Sequence, residues 1–253
     1  MPRVTILDVK ADPSVNFQKI SLLPSAIPLN GLNHYWSPDS AVLSTTTNRV
    51  NSISPWRGTQ VLSAQYTDVR APLLTQVNNK NMFVTNFADL TRLIVGTTIP
   101  NGEAVQGDVT AGLTVTMVVK VVDITSISTL CSFYGFRLRC LTTGMIQLQK
   151  SVSSTLTATT TFNASQNYFV LQLSHDRVTN EVIVRANGTV ITTQISAAWN
   201  ESYSNTIGRV GIAATNSDGS AAHFGDILIY GRALNAAESL TVSNYLKAKY
   251  AIA

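Results

Sequence analysis

Near its C-terminus the chain changes hydrophobic period once, and the change defines a closing unit. From Phe224 to Tyr230 apolar residues fall on both faces, Ile227 and Ile229 on one and Leu228 and Tyr230 on the other. Such a run predicts a strand covered on both sides. Arg209–Thr215 is a second strand-like run, and the polar turn Asn216-Ser217-Asp218-Gly219 between the two predicts a hairpin. The period then becomes helical. Asn235 followed by Glu238 is a capping-box pattern. Val242, Tyr245, Leu246 and Lys249 recur at 3, 4 and 7 behind it, which predicts a helix over 236–248 with one stripe on the preceding strands.

Further upstream the period is two. Leu113, Val115, Met117, Val119 and Val121 share one face, with Thr114, Thr116 and Lys120 on the other, which predicts a half-buried antiparallel strand. Tyr168–Ser174, Val182–Ala186 and Thr189–Ile195 read as a meander. Asn187-Gly188 supplies its tightest turn, because both residues tolerate positive φ. That turn pairs Ala186 with Thr189 and Val184 with Ile191. Residues 97–112, with Pro100, Gly102 and Gly107, read as a long loop. Pro24 and Pro28 limit regular structure before His34, and Val4–Leu7 has strand composition.

The run F-G-D-I-L-I-Y-G-R-A-L-N-A-A-E, followed by N-Y-L-K-A-K-Y, resembles the C-terminal signature of concanavalin A-like (laminin G-like) jelly-roll domains. His34-Tyr35-Trp36-Ser37-Pro38-Asp39 resembles the opening strand of that family. Val50 to Gly58 resembles its next segment, with Arg57 where the family has Asp. Arg70-Ala71-Pro72 and Met82-Phe83-Val84 match later strands. The resemblance covers roughly 34–253 and is strongest after 165. It implies an all-β, antiparallel two-sheet jelly-roll sandwich with a short C-terminal helix. It implies Trp36 in the core. Residues 1–33 fall outside the pattern and form an N-terminal arm, either a strand of the domain's own sheet or a tether to a partner. Its apolar residues Val4, Ile6, Leu7, Ile20, Leu22 and Leu23 are the expected attachment contacts.

At 253 residues the chain fits one large sandwich. Only 13% of residues are charged, against about 25% in an average domain. A surface of hydroxyls rather than charges is poorly guarded against association, which points to contact with neighbouring subunits. The net charge is +4 but no basic run exists; Arg137 and Arg139 share one strand face, read as solvated, and nucleic-acid binding has no footprint. Cys131 and Cys140 flank a hairpin centred on Tyr134-Gly135. Cys131 then falls opposite Leu138 and Cys140 opposite Thr129, so free thiols are expected. No signal peptide or membrane span is read, which leads to synthesis in a host cytoplasm. Asn163, Asn187 and Asn200 stand in glycosylation sequons that carry no weight without secretion.

Chemistry is sparse. Glycanases of this fold need paired carboxylates, and Glu103, Glu181, Glu201 and Glu238 form no such pattern. The chain is therefore expected to be no enzyme. His34, His175 and His223 lack partners at ligand spacing, and Asp176 and Asp218 read as turn residues rather than calcium ligands. No metal and no cofactor are expected. Sugar binding on such a scaffold uses exposed aromatics beside amides. Trp56, Tyr66, Trp199, Asn200 and Tyr203 are the carbohydrate-binding candidates, with core or rim packing the competing reading for each.

A fold used mostly outside cells, without an export signal and with a charge-poor surface, fits a bacteriophage particle released by lysis. The expectation is a structural or adhesive virion surface protein, a capsid decoration or tail component. Its partners would be other particle subunits in a homo-oligomer, together with a cell-surface glycan. A free carbohydrate-binding module is the alternative, and a glycan hydrolase stands behind both.

Overall fold

The structure is a computed structural model. It describes residues 26–45, 49–58, 61–64, 71–86, 93–95, 112–133, 136–150, 157–164, 167–199, 209–210 and 221–253. The arm before residue 26, Tyr66, Asn200, Tyr203, Asp218, the Tyr134-Gly135 turn and the 216–219 turn lie outside them.

The first strands are β1 (Leu32–Leu43), β2 (Val50–Arg57), β3 (Leu62–Ala64), β4 (Leu73–Val77), β5 (Lys80–Thr85) and β6 (Leu93–Val95). Next come β7 (Gly112–Val121), β8 (Ser128–Phe133), β9 (Phe136–Cys140), β10 (Met145–Lys150) and β11 (Thr157–Asn163). Then follow β12 (Phe169–Asp176), β13 (Glu181–Ala186), β14 (Thr189–Ile195), β15 (Arg209–Val210) and β16 (Ala222–Tyr230). A single helix, α1 (Ala236–Tyr250), closes the described chain.

Every strand pair is antiparallel. The hydrogen-bonded order is β11-β10-β9-β8-β15-β6-β3-β2-β1-β16-β7-β12-β13-β14, with the β4–β5 hairpin joined to β16. β1 pairs β16 over Leu32–Trp36 and β2 from Tyr35 to Leu43, with irregularities in register on both sides. Two layers result, and one core fills the space between them. Leu113, Val115, Met117 and Val119 of β7 meet Leu138, Ile146 and Leu148 of the opposing layer there, beside Trp36, Ile227 and Ile229. A second cluster lies under α1, where Leu228, Tyr230, Tyr35, Val118 and Val170 pack against Val242, Leu246 and Tyr250. The two-faced reading of β16 and the core place of Trp36 both hold. The all-β sandwich with its terminal helix is the observed architecture.

Several local expectations change. β15 and β16 do not form a hairpin: β15 pairs β6 and β8, while β16 pairs β1, β5 and β7. β7 is buried on both faces rather than half-buried, because residues 232–234 cross its polar side. Thr114 Oγ1 donates to the carbonyl of Arg232 (2.9 Å) and accepts from Leu234 N (2.9 Å). Arg137 is buried and Arg139 half-buried, donating to the amide oxygens of Gln149 and Gln147 on β10, so that face is not a solvated one. In the 187–188 hairpin Ala186 pairs Thr189 as expected, but an irregularity sets Val184 opposite Thr192. Asn187 and Gly188 both have positive φ, as the turn requires.

Cys131 stands opposite Leu138, whereas a register shift sets Cys140 opposite Ser128. Both thiols are free and buried, and burial pushes Cys131 up to about 12 and Cys140 to about 11. The first strand starts at Leu32, and Ile27 is already buried in the cluster beneath α1. Among the described residues no helix is long and apolar enough to cross a membrane.

Candidate functional site

Asp226 is a carboxylate with no solvent exposure in a mostly apolar strand. It sits where β16 carries an irregularity between Phe224 and Ile227 that turns its side chain towards α1. Tyr35 Oη donates to its Oδ2 at 2.6 Å and Tyr250 Oη to its Oδ1 at 2.7 Å. Lys249 Nζ reaches both oxygens, at 2.9 and 2.8 Å. Lys249 also donates to Ser37 Oγ, pairs with Asp39 at 3.3 Å, and lies over the Trp56 ring at 4.9 Å. Gly225 is glycine for a steric reason: a Cβ there would stand 2.6 Å from Cζ of Tyr250. Burial, reinforced by Asp226, lifts the Tyr35 and Tyr250 phenols well above their ordinary range. Burial pulls Lys249 down, but Asp226 and Asp39 outweigh it and leave the ammonium above its usual value.

The same stretch anchors the start of α1. Asn235 Oδ1 accepts from Glu238 N at 2.9 Å, and Glu238 Oε2 accepts from Asn235 N at 3.1 Å, closing the capping box. Arg232 grips the Glu238 carboxylate with both Nη atoms at 2.7 and 2.6 Å. That pair of hydrogen bonds holds Glu238 below the usual carboxylate range. The residues of the family-like signature thus fasten helix to sandwich. Asp226, Arg232 and Glu238 spend their charged groups on partners within the chain.

An open groove lies beside this fastening, on the outer face of β12 and β13 where α1 begins. It is about 330 Å³ and is lined by Ser174, Asp176, Glu181, Ile183, Arg185 and the segment 233–236. Glu181, Ile183 and Arg185 alternate with Val182 and Val184, which point into the core. Period two therefore forces the three onto the helix side. Asp176 and Glu181 are directly paired across the strands, as are Ser174 and Ile183. Asp176 Oδ1 accepts from Val178 N (2.8 Å) and Thr179 N (3.2 Å), the turn role expected of it. Ile183, Ala233, Leu234 and Ala236 make an apolar lining among hydrogen-bonding groups, a mixture typical of small-ligand sites. A smaller cavity of about 290 Å³ adjoins His223, Arg49 and Thr85. There the Tyr168 hydroxyl and His223 Nδ1 stand 2.6 Å apart.

The structure separates the two described aromatics that the sequence put forward. Trp199 is 3% exposed and belongs to the inter-sheet core, which removes its face from solvent. Trp56 is half-buried, tilted against Tyr35 at 5.0 Å and capped by Lys249. Its packing partners are thus within the chain. Tyr66, Asn200 and Tyr203, like Val4, Ile6, Leu7, Ile20, Leu22 and Leu23, lie outside the described residues. Sequence reading did not find Arg185 or the groove; the one signal was a charged residue inside V-I-V-R-A. His34 stacks on Trp36 (5.0 Å, 6°), and His175 lies edge-on to Phe136. Among the described residues no three His, Cys, Asp or Glu side chains gather as metal ligands do.

No protein-family model matches this sequence, and comparison with curated proteins finds no match. Solved structures do match its fold. The binding domain of Paraclostridial Mosquitocidal Protein 1 superposes with a TM-score of 0.63 at 12% identity, over 85% of this chain and 52% of that one. The receptor-binding domain of botulinum neurotoxin type G gives 0.58 at 12% identity, over 86% and 52%. Trypanosoma rangeli sialidase in complex with sialic acid gives 0.64 at 12% identity, over 88% of this chain and 34% of that one. The chain therefore spans about half the length of the two binding domains and a third of the sialidase. At such identities the likeness shows the fold alone: an antiparallel β-sandwich.

Proposed function

We propose that this chain is a non-enzymatic, glycan-binding sandwich acting as a structural or adhesive component of a bacteriophage particle surface, as capsid decoration or tail. The groove beside the start of α1 carries the glycan part of this reading. Ser174, Asp176, Glu181, Arg185 and Asn235 offer donors and acceptors around the apolar Ile183 and Leu234, the chemistry that a sugar's hydroxyls and C–H faces require. Two of the neighbouring folds are described as binding domains, which fits a module that recognises rather than cuts.

The carboxylates support the non-enzymatic part. Asp226 is buried and fully bonded, Asp39 faces Lys249, and Glu238 is clamped by Arg232. Asp176 and Glu181 stand side by side on paired strands. A hydrolase instead needs acid and nucleophile or base to flank one bond from two sides. The particle part rests on the charge-poor composition and on the apolar arm.

A glycan array probed with the full chain tests the reading. Binding to defined glycans, reduced by Glu181→Gln or Ser174→Ala and accompanied by no release of reducing ends, is the expected result. Silence across the array removes the glycan part. Glycan cleavage abolished by Glu181→Gln removes the non-enzymatic part.

A further inference from the structure

Arg185 is 5% exposed, yet its Nη1 has no hydrogen-bond partner among the described residues. A buried charged donor left open is costly, and the Arg185 side chain is among those lining the groove. Gln172, directly opposite on β12, does not relieve it. The Gln172 amide donates to Thr116 Oγ1 at 2.9 Å, and its own Oε1 has no partner among the described residues. Burial lowers the Arg185 guanidinium from its ordinary value, with Glu181 acting the other way.

The helix start adds a second positive element. The capping box occupies the N–H groups of Asn235 and Glu238. Helix geometry leaves the N–H groups of Ala236 and Ala237 without intrahelical partners, and Ala236 lines the groove. The positive end of the helix dipole lies there as well. At the other end of the groove the sign reverses. Glu181 stands four residues from Arg185 along β13, about 13 Å in an extended strand, and Asp176 of β12 is paired to it. One end wants an anion and the other wants hydrogen-bond donors.

We infer that the groove binds a glycan through a sugar carboxylate, with the acid group held by Arg185 and the start of α1 and the sugar's hydroxyls turned towards Asp176 and Glu181. This rests on the glycan-binding reading above and specifies its substrate class. The bidentate fork of arginine matches a carboxylate in a plane, and a volume near 330 Å³ suits one or two sugar residues.

The test uses the full chain and five probes in calorimetric titrations: the methyl glycosides of glucuronic acid and sialic acid, the methyl ester of each, and methyl glucoside. At least one acid is expected to bind, with its ester about 10- to 100-fold weaker because a charge-assisted pair is lost. Arg185→Lys keeps the charge but not the fork, and should narrow the acid–ester difference several-fold with an unchanged circular dichroism spectrum. Should that variant fail to fold, the acid–ester comparison on the unaltered chain decides alone. Equal affinity for acid and ester overturns carboxylate recognition while the glycan reading stands. A folded Arg185→Lys protein with full acid preference overturns the placement at Arg185. Silence of all five probes overturns carboxylate recognition, and silence of the glycan array as well overturns the reading beneath it.

Discussion

Lys249 and Asp226 meet at 2.8 Å beneath the terminal helix, the carboxylate with no solvent exposure and the ammonium side chain only 12% exposed. Removing one partner of a buried pair strands the other charge, which typically costs about 3 to 5 kcal/mol. Asp226→Asn is expected to destabilise by about that much, because Lys249 keeps only the partly exposed Asp39 as counterion. Lys249→Met leaves Asp226 with the two tyrosine hydroxyls and should cost less. The double variant should lose clearly less than the sum, since the two residues share one interaction. Urea denaturation of the four proteins measures all three quantities, and strict additivity would show the pair to be uncoupled.

Alkaline pH should loosen the same fastening. Tyr35, Tyr250 and Lys249 all titrate higher in the folded chain than when unfolded. Their stabilising contribution is complete below their unfolded values of about 10 to 10.4. Above that the unfolded state loses protons that the folded state retains, so stability falls as pH rises. Cys131 and Cys140, also raised in the fold, start the loss near the free thiol value of about 8.5, and melting temperatures should fall more steeply from pH 10 upward. The slope should shrink in Tyr35→Phe, which no longer has a phenol to ionise.

On the acid side the sign is opposite. Burial lowers His34 and His175 to about 4. Between pH 6.5 and 4 the unfolded chain binds protons that the folded one refuses, so stability falls as pH falls. Each histidine contributes on the order of 3 kcal/mol across that window. His34→Gln should flatten the pH dependence of unfolding between 4 and 6.5. An unchanged profile would mean that His34 takes up its proton in the folded state.

What could be read in the sequence was what local chemistry decides. The two faces of β16 and the Asn235–Glu238 cap depend on residues a few positions apart, and both stand as expected. The β15–β16 hairpin failed because strand partners are chosen by the whole sheet: β16 lies between β1 and β7, far from β15 in the strand order. β7 misled for a related reason. Thr114 and Thr116 look like a solvated face until residues 232–234 and Gln172 take up their hydroxyls. The groove was hidden on the same account. Arg185 is legible as an outward strand residue, but residues 233–236, which share the groove with it, are distant in sequence. Asp226 gave a clearer hint, being a lone charge in F-G-D-I-L-I-Y, and its partners Tyr35, Lys249 and Tyr250 come from both ends of the chain.

The arm supplies the last prediction. Val4, Ile6, Leu7, Ile20, Leu22 and Leu23 place six apolar side chains in a segment outside the family-like pattern. Its root is fixed to the sandwich, since Ile27 and Leu32 are buried beneath α1 and the Gly31 carbonyl accepts from Gly231 N at 2.8 Å. A deletion should therefore stop short of Ile27. Removing residues 2–25 keeps that root and the strands that follow it, so the protein is expected to keep its far-ultraviolet spectrum and to melt within a few degrees of the full chain. Ordering an arm costs roughly 1 to 2 kcal/mol of backbone entropy per residue, and burial of its apolar side chains on a partner subunit would offset this. The truncated chain should then elute as a smaller species than the full chain in size-exclusion chromatography with light scattering. It should also fail to co-sediment with particles that retain the full-length protein. Unfolding of the truncated chain would identify the arm as a strand of its own sandwich, and a folded truncation that still joins its partners would place the attachment surface elsewhere.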